Sequence, residues 1–131
     1  MLRSEPSFTV GIEEEYLLVD RASRDLVIDP PRELFAECQS HADDGVVEPE
    51  LLRSQIEVET RVCTTVGEAR QELAKLRRTA STVAANYGLA PIAASTHPFA
   101  EWHLQQATDK ARYHTLVRDM QSLARRLLIC G

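Results

Sequence analysis

Apolar, β-branched and aromatic residues flank three central carboxylates along Phe8-Thr9-Val10-Gly11-Ile12-Glu13-Glu14-Glu15-Tyr16-Leu17-Leu18-Val19-Asp20, and this pattern predicts a strand. On a strand successive side chains leave opposite faces, so Glu13 and Glu15 project together. Glu14 projects the other way, with Val10, Ile12, Tyr16 and Leu18. After a polar turn at 20–25, Leu26-Val27-Ile28 predicts a short return strand and hence a hairpin, stopped by Asp29-Pro30-Pro31. A short helix is expected over 31–38 and a loop over 41–45. Residues 46–60 form a second acidic, strand-like region. Within it Ile56 and Val58 share one face, and Glu57 and Glu59 share the other.

The clearest helix signal follows. Thr65-Val66-Gly67-Glu68 fits a capping box, with Thr65 as the cap and Glu68 reaching back. Ala69, Leu73, Leu76, Ala80, Val83 and Tyr87 then recur at helical spacing, and Gly88 suits a left-handed stop. The stretch 89–95 predicts a strand of small residues, with Pro91 marking an edge or a bulge. A loop is expected over 96–102, because Pro98 biases His97 away from helix. A second amphipathic helix is expected over about 108–126, with Tyr113, Leu116, Val117, Met120, Leu123, Ala124 and Leu127 as its core stripe. The sequence ends on Leu127-Leu128-Ile129-Cys130-Gly131, which has the look of a buried strand just beginning.

Two acidic strands change the picture, because adjacent like charges on one face repel unless a cation sits between them. Glu13 with Glu15 therefore calls for a divalent metal, and Glu57 with Glu59 repeats the request. The 131 residues suit one domain with a real core. The net charge of −5, without a basic run, disfavours broad nucleic-acid binding. No apolar run is long enough for a membrane span, and the N-terminus lacks the apolar core of a signal peptide. Cys38, Cys63 and Cys130 are odd in number and scattered, which suggests reduced thiols, buried as small apolar residues, in a cytoplasmic protein.

Four blocks carry a family resemblance. Gly11-Ile12-Glu13-Glu14-Glu15-Tyr16 resembles the opening strand of the carboxylate–amine ligases related to glutamate–cysteine ligase, type 2. Glu50-Leu51-Leu52-Arg53-Ser54-Gln55-Ile56-Glu57, Ser95-Thr96-His97-Pro98-Phe99-Ala100 and Arg112-Tyr113-His114 are similar to its next three blocks, in order and spacing. The resemblance implies an α+β fold like the glutamine synthetase catalytic domain, a curved antiparallel sheet with helices packed on one face. Residues 1–131 would be the amino-terminal, incomplete part of that domain. In the family a His-Val-His-Val-Gly tract follows the apolar strand on which this sequence stops, and the later portion supplies more of the site. This sequence would thus hold half a site, inactive alone.

The resemblance also implies a reaction. ATP phosphorylates a substrate carboxylate, and an amine displaces the phosphate from the acyl phosphate; glutamate and cysteine would give γ-glutamylcysteine. Phosphoryl transfer concentrates negative charge that Mg2+ (or Mn2+) must neutralise through hard oxygen ligands. By this resemblance Glu13, Glu15, Glu50 and Glu57 are the expected metal ligands, with Glu59 at most in an outer role. His97 and Arg112 are the expected substrate or nucleotide contacts, and no catalytic residue is assigned.

Blander readings stand beside these. Glu13 and Glu15 could form a solvated edge, Glu50 could be a loop carboxylate, and His97 a turn residue. Arg112 could pair on the helix surface with Asp109 or Glu101. Phe99 and Trp102 are expected to be packing anchors. A different class of function is also open: a non-catalytic assembly module, half of a split ligase or a truncated product. Such a module would associate with a copy of itself or a complementary chain through an exposed sheet edge.

Overall fold

The computed structural model describes residues 7–121. Four antiparallel strands form one sheet in the order β2-β3-β1-β4, with β1 at Glu13–Asp20, β2 at Val46–Pro49, β3 at Gln55–Glu59 and β4 at Leu89–Ile92. Helices α1 (Arg32–Ser40) and α2 (Val66–Asn86) pack on one face, and α3 (Ala111–Met120) follows a short 3-10 turn at Trp102–Leu104. This is the α+β layering expected from the sequence.

Alternation decides what each face carries. Tyr16, Leu18, Val47, Ile56 and Val58 point to the helices and join Leu34, Cys38, Leu73, Leu76 and Val83 in the main core. Thr65 caps α2, its Oγ1 accepting from the Glu68 N–H at 3.1 Å. The Glu68 carboxylate reaches one residue further back than expected, to the Thr64 N–H at 2.8 Å. Gly88 closes the helix at φ +72°, a conformation glycine adopts without strain. Pro91 lies in β4, the edge strand opposite Leu18, where a missing N–H costs least.

Four expectations are corrected. The acidic region 46–60 is two strands, with β2 and β3 paired through Val46↔Glu59 and Glu48↔Glu57. Its turn closes through the Leu52 N–H on Gln55 Oε1 at 2.8 Å and the Gln55 N–H on the Leu52 carbonyl at 2.9 Å. The 26–28 stretch makes one bridge, Val19↔Leu26, and no strand, because Asp29 and two prolines follow at once. In α3, which starts at Ala111, Tyr113 is buried while Leu116 and Met120 are exposed, so its stripe does not seat on the sheet. Phe99 and Trp102 are exposed as well, and Phe99 only edges the His97 ring at 4.5 Å between centroids. The remainder of the second stripe and the 127–131 strand fall outside the described residues. Cys38 and Cys63 are buried, as expected.

Gly45 precedes β2 at a close approach. A Cβ there would lie 2.9 Å from the Glu59 carbonyl oxygen and 3.0 Å from Leu76 Cδ2. Gly45→Ala is therefore expected to destabilise the fold by about 1–3 kcal/mol, the usual range for overpacking. A chemical-denaturation midpoint at the wild-type value would refute it.

Candidate functional site

The face of the sheet away from α1 and α2 divides along its length. At one end Leu17 clusters with Leu26 and Leu52. At the other end the register places Glu13 opposite Glu59, Glu15 opposite Glu57, and Glu57 opposite Glu48. Glu50 continues the Glu48 side one step beyond β2, its N–H reaching the Gln55 carbonyl at 3.4 Å. Six carboxylates from three neighbouring strands thus share one wall, where like charges directly opposite one another destabilise a sheet.

Glu57 lies at the centre of this wall and is only 9 % exposed. Burial first, and then the charges of Glu50, Glu59, Glu15 and Glu13, push its pKa up to about 7. Carboxylate oxygens of Glu48, Glu57 and Glu59 lie within 4.8 Å of one another. A set of hard oxygen donors, one of them held near half-protonation at neutral pH, fits a divalent cation such as Mg2+ or Mn2+.

The wall has a pH signature of its own. Glu57 holds its proton to about pH 7 when folded and to about 4.5 in its unperturbed state. Between those values the unfolded chain releases the proton first. The stability tied to this proton is intact below the lower value and is lost as pH rises to the upper one. Metal-free protein is therefore expected to melt at lower temperature at pH 7.5 than at pH 5, with Glu57→Gln flattening the difference. Identical slopes in the two proteins would rule this out.

Glu14 stands apart from the wall. It faces α2, where Arg77 Nε donates to its Oε2 at 2.8 Å and the Tyr16 hydroxyl also reaches it. The Arg77 hydrogen bond holds the Glu14 carboxyl below its ordinary value.

Cations approach the wall from the α3 side. The Arg53 N–H meets the Gln106 carbonyl and the Thr108 N–H meets the Leu51 carbonyl, both at 2.9 Å, which fixes the segment leading into α3 beside the β2–β3 turn. Lys110 Nζ consequently donates to Glu48 Oε2 at 2.9 Å and to the Pro49 carbonyl at 3.0 Å. Arg112 Nη2 donates to Glu50 Oε2 at 3.1 Å and also contacts the Tyr113 hydroxyl, which itself donates to Glu50. Arg112 thus pairs with neither Asp109 nor Glu101; His114 takes Asp109 at 2.8 Å and His103 faces Glu101 at 3.3 Å.

Of the six residues singled out in the sequence, Glu13, Glu15, Glu50 and Glu57 lie along one wall, with Glu57 alone of these in the close group with Glu48 and Glu59, and Arg112 joins through Glu50. His97 does not. Its ring is buried, with Nε2 donating to the Arg24 carbonyl at 2.9 Å and Nδ1 accepting the Phe99 N–H at 3.4 Å. Arg24 follows the Asp20 end of β1, opposite the Glu13 end, so the ring serves to hold two loops together. Sequence reasoning missed Glu48 and Lys110. The alternation Val47-Glu48-Pro49-Glu50 carries the signal for Glu48, which is hard to separate within the acidic, strand-like region 46–60. Nothing local marks Lys110.

A family model described as glutamate–cysteine ligase family 2 matches residues 9–131. Among relatives provisionally named glutamate–cysteine ligase 2, one from Rhodospirillum rubrum is 55% identical over 130 residues, covering 97% of this chain and 33% of the relative. One from Jannaschia sp. is 49% identical over 128 residues, covering 98% of this chain and 33% of the relative. One from Chloroflexus aurantiacus is 40% identical over 131 residues, covering 95% and 32%. The chain spans about a third of the length of these curated relatives. Among the described residues no helix is long and apolar enough to cross a membrane.

Proposed function

Since the chain belongs to glutamate–cysteine ligase family 2, we propose that it forms one wall of the active site of an ATP-dependent carboxylate–amine ligase. The substrates are glutamate and an amine such as cysteine, and the product is γ-glutamylcysteine. The observation that carries this reading is the carboxylate wall, in particular Glu57 with its raised pKa between Glu15 and Glu48.

Glu13, Glu15, Glu48, Glu57 and Glu59 would hold Mg2+ or Mn2+, which when bound neutralises the charge of ATP and of the transferring phosphoryl group. Glu50, already engaged by Tyr113 and Arg112, anchors the start of α3 to the wall and leaves Arg112 beside the site. The guanidinium's planar fork suits a substrate carboxylate or a phosphate. Isothermal titration of the protein carrying this sequence tests the reading, with Mg2+ and ATP as titrants. Glu13→Gln and Glu57→Gln are expected to bind more weakly than the wild type. Equal binding in all three proteins would sink it.

A further inference from the structure

Resting on the ligase reading above, we propose that Lys110 is an exchangeable counter-ion. It neutralises Glu48 while the wall is free of metal, and it turns to a phosphate oxyanion of the bound ligand once a divalent cation takes over that carboxylate.

The contacts of the ammonium group carry the inference. Lys110 Nζ donates to Glu48 Oε2 at 2.9 Å, and that carboxylate belongs to the group with Glu57 and Glu59. A lysine thus already pairs with one of three carboxylates whose oxygens lie within 4.8 Å of one another. A divalent ion on the same carboxylate would repel it, since like charges a few ångström apart interact appreciably even in a watery dielectric.

The two cations differ in chemistry more than in tether, since each has two hydrogen-bond partners and Arg112 is the more exposed. The lysine side chain is a compact charge on a flexible stem, about a third exposed and 5.4 Å from the centroid of the Tyr113 ring. The Arg112 guanidinium is engaged by both Glu50 and the Tyr113 hydroxyl and lies against the same ring at 4.5 Å.

The surroundings also say where the ammonium would go. Lys110 lines a cavity of about 330 Å3 together with Arg32 and Arg53. Asp29 and Arg53 of that cavity pair with each other at 3.2 Å, and Asp109 meets the His114 ring at 2.8 Å. An ammonium group displaced from Glu48 therefore borders a space that none of the wall's carboxylates lines, with Arg32 as a second positive charge.

Titration of the protein carrying this sequence with Mn2+ alone, and then with Mn2+ and ATP together, tests the exchange by signs. Lys110→Met is expected to bind Mn2+ alone roughly three- to tenfold more tightly, because a competing cation is gone. The same variant is expected to bind the Mn2+–ATP complex about tenfold more weakly, because a phosphate partner is gone. Lys110→Arg, which keeps the charge, is expected to stay near wild type for Mn2+ alone. Unchanged or weaker Mn2+ binding by Lys110→Met would make the lysine a mere strut for β2 and overturn the exchange. So would unchanged binding of the Mn2+–ATP complex. A wild-type protein that binds no Mn2+ would overturn the metal wall itself, and this proposal with it.

Discussion

Glu57→Gln is expected to raise the stability of the metal-free protein while weakening its binding of Mg2+ or Mn2+ by about 100-fold, the upper end of what even an outer-sphere partner contributes. The two effects share one cause. Glu57 is the most buried carboxylate of the wall, and it faces Glu15 on one side and Glu48 on the other. Ionising it without a cation places charge in a poorly solvated spot among like charges, which is why its pKa climbs to about 7. Glutamine keeps the shape and removes the charge, so above pH 7 the variant escapes a penalty on the order of 1–2 kcal/mol. An amide also cannot replace a carboxylate as a charged ligand. Thermal melts in a chelator at pH 8 read the first effect, and metal titration reads the second. A variant less stable than wild type under those melting conditions would show that the Glu57 carboxylate is a structural partner, and the wall would lose its central argument.

The sequence made one half of this site legible and hid the other, and the division follows the range of the interactions. The pairing of Glu13 with Glu15, and of Glu57 with Glu59, is set by strand alternation and can be read two residues at a time. The Thr65 cap and the Gly88 stop are equally local. Glu48 was harder, since β2 has only four residues and ends on a proline, too little for period two to stand out. The contacts of Lys110 with Glu48 and of Arg112 with Glu50 each span 62 residues. They exist because the Leu51 and Gln106 carbonyls tie two loops together, which no side-chain pattern announces. The stripe of α3 misled for a related reason. Amphipathic spacing shows that a helix has an apolar face, and the partner of that face is a matter of tertiary structure. The family block running from Glu50 to Glu57 joins two residues that periodicity alone does not connect.

Ile56→Ala is expected to cost the fold about 2–5 kcal/mol, the range for removing a buried isoleucine from a core that collapses only partly. Ile56 is fully buried on β3, the strand between β2 and β1, and pairs with Tyr16 on one side and Pro49 on the other. Its side chain meets the helix layer, so the cavity opens beneath the middle of the sheet. A loss of that size is a large share of the roughly 5–15 kcal/mol by which ordinary domains are stable. Val62→Ala, at a position 69 % exposed, should stay within about 0.5 kcal/mol of wild type, and denaturant midpoints compare the two. Metal affinity measured well below the Ile56→Ala melting temperature should match wild type per folded molecule, because Glu57 and Glu59 leave β3 on the other face. A large affinity loss in fully folded Ile56→Ala would mean that packing and carboxylate placement are not separable. Ile56 and Glu57 are neighbours in sequence, yet truncating the first and neutralising the second should move metal-free stability in opposite directions. Strand alternation sets up that opposition: one side chain stabilises by being buried in the core, and the other carries its charge among like charges on the opposite face.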